Sequence, residues 1–98
     1  MYKVVYMAAA KRNLKDIADY LDNIDSRLAD KILNKIMERI LSIGENPFRY
    51  PRYLYNQKYR WTGIKNYMIF YKVLEDKNTI QIHRVLHGSQ DIEHLIND

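Results

Sequence analysis

The sequence predicts an α+β domain, a helix hairpin packed on one face of a small antiparallel sheet. Three observations lead there. Residues 14–41 carry two apolar stripes at helical spacing. Residues 58–86 are rich in β-branched and aromatic side chains. Glu75-Asp76-Lys77-Asn78 is the strong polar turn between the last two strand-like runs, so those runs pair as a hairpin.

Each element follows from its own residues. Tyr2 to Tyr6 reads as a first strand entering a helix. Leu14, Ile17, Ala18, Leu21 and Ile24 recur at helical spacing, with Asp16, Asp19 and Asp22 on the other side. Asp25-Ser26 breaks the pattern, and either residue can cap the next helix. Ala29, Ile32, Leu33, Ile36, Met37, Ile40 and Leu41 form a second stripe, and Gly44 suits a left-handed C-terminal cap. The short connection at residues 23–26 makes the two helices an antiparallel hairpin. Asn46 to Tyr53 holds both prolines and reads as an ordered loop pinned by aromatics. Strands are expected at Lys58 to Thr62, Lys65 to Leu74 and Thr79 to Leu86, with Gly63 marking a kink or turn. Ile92, Leu95 and Ile96 share one side of a short terminal helix over residues 89–97. The order is β-α-α-β-β-β-α.

Composition bounds the function. The 98 residues make one domain, 1–98, with one modest core. There is no cysteine, hence no disulfide framework and no thiolate nucleophile or metal site, a usage compatible with a reducing cytosol. No apolar run approaches the roughly 20 residues that span a bilayer. Val4 to Ala10 is too short for a secretory segment and runs into Lys11-Arg12.

Charge is uneven along the chain. Residues 1–48 carry +1, residues 49–84 carry +6 and residues 85–98 carry −3, within a net charge of +4. A basic middle attracts phosphate backbones or an acidic protein partner. The plain alternative is a soluble basic surface.

Several residues invite a chemical reading. His83 and His87 lie at same-side spacing if their strand runs that far, and Asp91 and Glu93 are the nearest acids. No established ligand spacing is met, so neither metal nor cofactor is expected. His87 suits general acid or base work, and its plain reading is a loop histidine making one backbone hydrogen bond. Arg84 shares strand phase with Ile80 and Ile82. It is either a buried arginine paired with a carboxylate such as Asp91, or, if a bulge shifts the register, a surface phosphate clamp. Arg60, Lys58 and Lys65 read first as surface charges. Tyr50, Tyr53, Tyr55, Tyr59 and Trp61 interleave with Arg49, Arg52, Lys58 and Arg60, a pattern that stacks on bases or packs a loop onto the sheet. Met68 and Phe70 face one side of their strand and Tyr67, Ile69 and Tyr71 the other, so this strand is central and covered twice. Its second cover is either the terminal helix or a partner chain.

Two segments carry a resemblance. Lys65-Asn66-Tyr67 followed by Ile69-Phe70-Tyr71, and Ile82-His83-Arg84-Val85-Leu86-His87-Gly88 followed by Asp91-Ile92, resemble the RelE/ParE superfamily of bacterial type II toxins, in its ParE-like branch. The resemblance spans nearly the whole chain. It implies a RelE/ParE-like fold and a cytoplasmic, growth-inhibitory toxin of the plasmid-stabilising kind. It also implies an acidic antitoxin that wraps and silences it.

The resemblance implies two targets. ParE-type toxins poison DNA gyrase and carry no nuclease site. RelE-type toxins cut messenger RNA in the ribosomal A site, using basic side chains on the sheet and often a late Tyr or His. Where the RelE pattern has an arginine within the strand, this chain has Met68, and residues 88–98 contain no tyrosine. The expectation is therefore gyrase inhibition. The alternative is a metal-independent, ribosome-dependent endoribonuclease with Arg84, His87, Arg60 and Lys65 as its catalytic set. A third reading is a binding module without toxicity.

Overall fold

The computed structural model describes residues 1–97. The elements are β1 (Lys3–Tyr6), α1 (Ala8–Asp22), α2 (Ser26–Glu45), β2 (Arg52–Tyr53), β3 (Asn56–Ile64), β4 (Tyr67–Leu74), β5 (Thr79–His87) and α3 (Ile92–Asn97). Single 3-10 turns occupy Pro47–Arg49 and Glu75–Lys77. The expected order of elements is present, with the two-residue β2 added inside the proline loop.

The sheet runs β1-β5-β4-β3-β2. It is antiparallel from β2 to β5, while β1 joins β5 in parallel, from Lys3 opposite Thr79 to Tyr6 opposite Ile82. Two backbone bonds at the start of the chain dock β1. Tyr2 N–H donates to the Gly44 carbonyl at 3.1 Å, and Lys3 N–H to that of Asn78 at 3.0 Å.

α1 begins at Ala8, ahead of the first stripe residue, because Ala8-Ala9-Ala10 are strong helix formers and Ala10 is fully buried. Asp25 caps α2, accepting the Arg27 N–H at 2.9 Å. Gly44 departs from expectation. It lies inside α2 and no glycine has positive φ, so it is not a left-handed cap. A Cβ at Gly44 would sit 3.3 Å from Val4 Cγ2, and the bare glycine lets α2 approach β1 closely. The helix instead ends at Asn46, before Pro47 opens the 3-10 turn.

Gly63 is likewise inside β3 rather than at a turn, and the turn to β4 is Lys65-Asn66, with Lys65 at φ 56°. The reason is tertiary. Arg39 of α2 donates to Thr62 Oγ1 and to the Gly63 carbonyl, each at 2.6 Å, holding this part of β3 in the sheet.

The helix hairpin covers one face. Ile17, Leu21, Ile36, Ile40 and Ile43 pack there against Ile69, Tyr71, Ile80, Ile82 and Val85. Ile24, Met37 and Leu41 belong to the stripes but remain exposed. On the other face, here the outer face, Phe70 and Leu86 pack against Ile96 of α3, with Trp61, Met68 and Tyr53 around them. β4 is the central strand covered twice, and α3 is its second cover. Among the described residues no helix is long and apolar enough to cross a membrane.

Candidate functional site

The register of β5 decides what its basic end presents. Phe70 of β4 pairs with Arg84, and the next residue, Tyr71, pairs with Ile82. His83 is therefore one extra residue in β5, a bulge that sends two consecutive side chains to one face. Ile80 and Ile82 point to the hairpin, whereas Arg84 shares the outer face with Phe70 and Leu86. Of the two orientations open to Arg84 in the sequence, the bulge selects the outer one. Its Nη1 donates to the His83 carbonyl at 2.9 Å.

A cluster forms around this bulge. Lys72 pairs with Gln81 across the strands, and its Nζ lies 5.0 Å from the centroid of the Tyr59 ring. The Tyr59 and His83 rings meet edge to face at 5.1 Å, and His83 Nε2 lies 3.2 Å from Gln81 Oε1. All five side chains, Tyr59, Lys72, Gln81, His83 and Arg84, are half-buried. Burial, then the positive charges of Lys72 and Arg84, push the His83 imidazole down to about 4, so it is neutral at pH 7. None of the five strands carries an aspartate or glutamate.

His87 sits on the opposite side of β5. It pairs with Tyr67, and their rings meet edge to face at 5.3 Å. His87 Nδ1 accepts the Ser89 N–H at 3.1 Å and lies 2.7 Å from Ser89 Oγ. His87 lines a cleft of about 360 Å³ with Asn13, Asp16, Tyr20, Tyr67 and Gln90. The cleft exists because β1 stops at Tyr6, opposite Ile82, and leaves the rest of the β5 edge without a strand. Side chains close that edge. Asn13 Oδ1 accepts the Val85 N–H at 3.1 Å and Gln90 Oε1 accepts the His87 N–H at 2.7 Å.

The remaining sequence candidates lie elsewhere. Arg60 pairs with Tyr71 on the hairpin side; its Nη1 donates to the Tyr50 carbonyl at 2.7 Å, and its guanidinium sits 5.1 Å from the Phe48 ring centroid. Lys65 is exposed in the β3–β4 turn and shares with His87 the lining of a shallow depression beside Trp61 and Met68. Thus Lys65 and His87 approach one another, while Arg60 and Arg84 occupy opposite faces.

The aromatic stretch is mostly packing. Tyr50 joins the hairpin-side core, with its hydroxyl 2.8 Å from Ser42 Oγ. The Tyr53 ring meets those of Tyr55, Trp61 and Phe70 edge to face. Arg52 Nη1 donates to the Gln57 carbonyl at 3.0 Å. Leu54 and Tyr55 remain exposed at its tip. Among the described residues, no three His, Cys, Asp or Glu side chains gather as a metal site would require.

Sequence reasoning missed Lys72, Tyr59 and Gln81 as neighbours of His83. Lys72 shares strand phase with Met68 and Phe70, so strict alternation along β4 could have placed it on this face.

The family described as the ParE toxin of the type II toxin–antitoxin system parDE matches residues 4–92. Among solved structures, the chromosomal ParDE toxin–antitoxin system of P. aeruginosa matches with a TM-score of 0.75 and 20% identity, over 89% of this chain and 96% of that one. The RelBE2 toxin–antitoxin complex of Mycobacterium tuberculosis matches at 0.66 and 21%, over 88% and 96%. The intact E. coli RelBE complex matches at 0.62 and 11%, over 92% and 100%. No curated protein sequence gives a significant match.

Proposed function

Because this chain belongs to the ParE toxin family of type II toxin–antitoxin systems, we propose that it arrests growth in the cytoplasm by binding DNA gyrase, and that an acidic antitoxin silences it. The observation that carries the choice of target is the dispersal of the nuclease candidates. Cleaving RNA without a metal requires donors that converge on one phosphate, aimed where charge develops. Arg60 is committed to the Tyr50 carbonyl on one face and Arg84 lies on the other. Lys65 and His87 share a shallow depression that neither arginine lines. Met68 occupies the outer-face position where the RelE pattern has an arginine. A protein-binding toxin needs no such convergence.

The antitoxin reading is supported by charge and by likeness. The strands are free of carboxylates, and the similar solved structures are toxin–antitoxin complexes. Purified protein should inhibit gyrase supercoiling, or trap gyrase on cleaved DNA, and leave ribosome-bound message intact. Active gyrase alongside A-site breaks mapped by primer extension would overturn the proposal.

One observation favours the second reading, ribosome-dependent endonuclease. Lys72 and Arg84 flank a neutral His83 on a single face, and a cation pair beside a free base suits attack by an RNA 2′-hydroxyl. A-site cutting that disappears in a folded Arg84→Ala variant would establish it.

A further inference from the structure

The His83 bulge gathers positive charge that no ion pair among the described residues meets. It places Arg84 beside Lys72 and His83 on a half-buried face, and the strands supply no carboxylate. Among the described residues the ion pairs are Lys15–Asp19 and Arg27–Asp25, both in the helix hairpin. From β3 the His83 ring meets Tyr59, from β4 it faces the Lys72 charge, and from β5 it meets Arg84 and Gln81. The nearest stand-ins for an anion are neutral: the Tyr59 ring under Lys72 and the His83 carbonyl for Arg84.

We propose that Lys72, His83 and Arg84 form a receiving site for a carboxylate of an acidic protein segment laid across the outer face. The proposal rests on the antitoxin reading above and deepens it, naming where the partner's acidic side chain goes.

Three features favour a protein carboxylate over a nucleic-acid phosphate. First, a backbone-tracking groove needs cations strung along its length. Here the charge is concentrated at one point. Beyond α3 the rest of the outer face is largely neutral, with Val5, Leu74 and Thr79 in strand phase with Gln81 and Lys72, and Lys3 at its edge. Second, an amphipathic segment suits that surface, with apolar side chains over Val5 and Leu74 and one acid at the cluster. Third, the aromatics on this face are tied up. Tyr59 is held between Lys72 and His83, and Trp61 packs in the α3-side cluster, so neither ring offers a free stacking platform.

Proton coupling follows from the same geometry. In the free protein burial, and then the two neighbouring cations, hold His83 deprotonated down to about pH 4. A bound carboxylate offsets those charges and moves the imidazole toward its ordinary 6.5. The carboxylate does not relieve burial, the larger cause, so full restoration, about tenfold tighter binding between pH 8 and 5.5, is the upper limit.

The test uses the purified full chain and a pentaglutamate peptide, with pentaglutamine and a five-nucleotide single-stranded RNA as comparison arms. NMR would follow the side chains of Lys72, His83 and Arg84. The expected result is saturable shifts at these three residues with pentaglutamate and none with pentaglutamine. The His83 titration should rise in the complex, and affinity should increase from pH 8 to 5.5 by no more than roughly tenfold. Lys72→Met and His83→Gln, each checked for an unchanged melting temperature at pH 8, should weaken binding, and His83→Gln should flatten its pH dependence. Lys58→Met, which changes an exposed cation outside the cluster, should bind as the parent does. Pentaglutamate shifts elsewhere, affinity insensitive to Lys72→Met, or tighter binding of RNA than of pentaglutamate at the cluster would each overturn the proposal. Gyrase inhibition and growth arrest by the same preparation report separately on the toxin reading, so failure of one is distinguishable from failure of the other.

Discussion

Tyr71→Phe is the sharpest test of how the fold is held. The Tyr71 side chain is fully buried at the centre of the sheet, and its hydroxyl donates to the Pro47 carbonyl at 2.6 Å. Pro47 is itself fully buried. Replacement by Phe removes one oxygen and leaves ring packing intact, so no cavity term is expected. What is lost is the hydrogen bond, and the carbonyl is left without a donor. A buried acceptor stranded in this way costs about 1–3 kcal/mol, centred near 2. For a domain of this size that lowers the melting temperature by roughly 10 °C. Urea unfolding followed by circular dichroism reads the change as a lower midpoint at constant slope.

The same variant has a signature at high pH. Burial raises the Tyr71 hydroxyl well above its ordinary 10.0. The unfolded chain therefore releases this proton first, and stability falls as pH rises above about 10, by up to roughly 1.4 kcal/mol per unit. Tyr71→Phe should remove that contribution, leaving smaller ones from Tyr6, Tyr53 and Tyr67, which burial also raises. A loss below about 0.5 kcal/mol, typical of a neutral surface change, together with an unchanged alkaline limb would refute the reasoning.

Three further outcomes are expected. His83 is held neutral in the fold but protonates near 6.5 when unfolded, so the unfolded chain binds more protons and stability falls as pH drops from about 6.5 toward 4; His83→Gln should flatten that limb in acid denaturation. Lys65 holds φ 56° with a side chain that disfavours it, so Lys65→Gly should stabilise by about 0.5–1 kcal/mol, read from the urea midpoint, whereas Lys65→Val should destabilise. Arg39→Met removes both donations that tie α2 to β3 and should cost about 1–3 kcal/mol, with faster amide exchange at Gly63 and Ile64.

The legible parts of this fold are those with a strong period. The stripes from Leu14 and from Ala29 located the helices, and alternation along residues 67–74 identified the strand covered on both faces. Features set by tertiary contact were not legible. Gly44 looks like a cap and instead serves close approach to Val4. Gly63 looks like a turn, while the true turn places a lysine at positive φ. The parallel partner of β1 is far away in sequence, and no residue of Tyr2 to Tyr6 names it. At the candidate site, Arg84 was found but its face was undecidable, because one extra residue inverts the phase of a strand without altering its composition. The sequence offers His83 only as a candidate metal ligand, and its role as the inserted residue emerges from the pairing of Phe70 with Arg84 and Tyr71 with Ile82.

The parallel pairing of β1 with β5 has a consequence for how the chain matures on the ribosome. β5 bridges β1 and β4, and it is the last strand to be synthesised. Until residues 79–82 emerge, Lys3 to Tyr6 has no sheet partner, and closing that long loop is the slow, entropically unfavourable step of assembly. Fragments from interrupted synthesis therefore lack the central pairing altogether. They also lack the His83 bulge and everything built on it. Until residues 79–87 have been made, the sheet lacks both the seat for its first strand and the face on which Arg84, His83 and Lys72 meet.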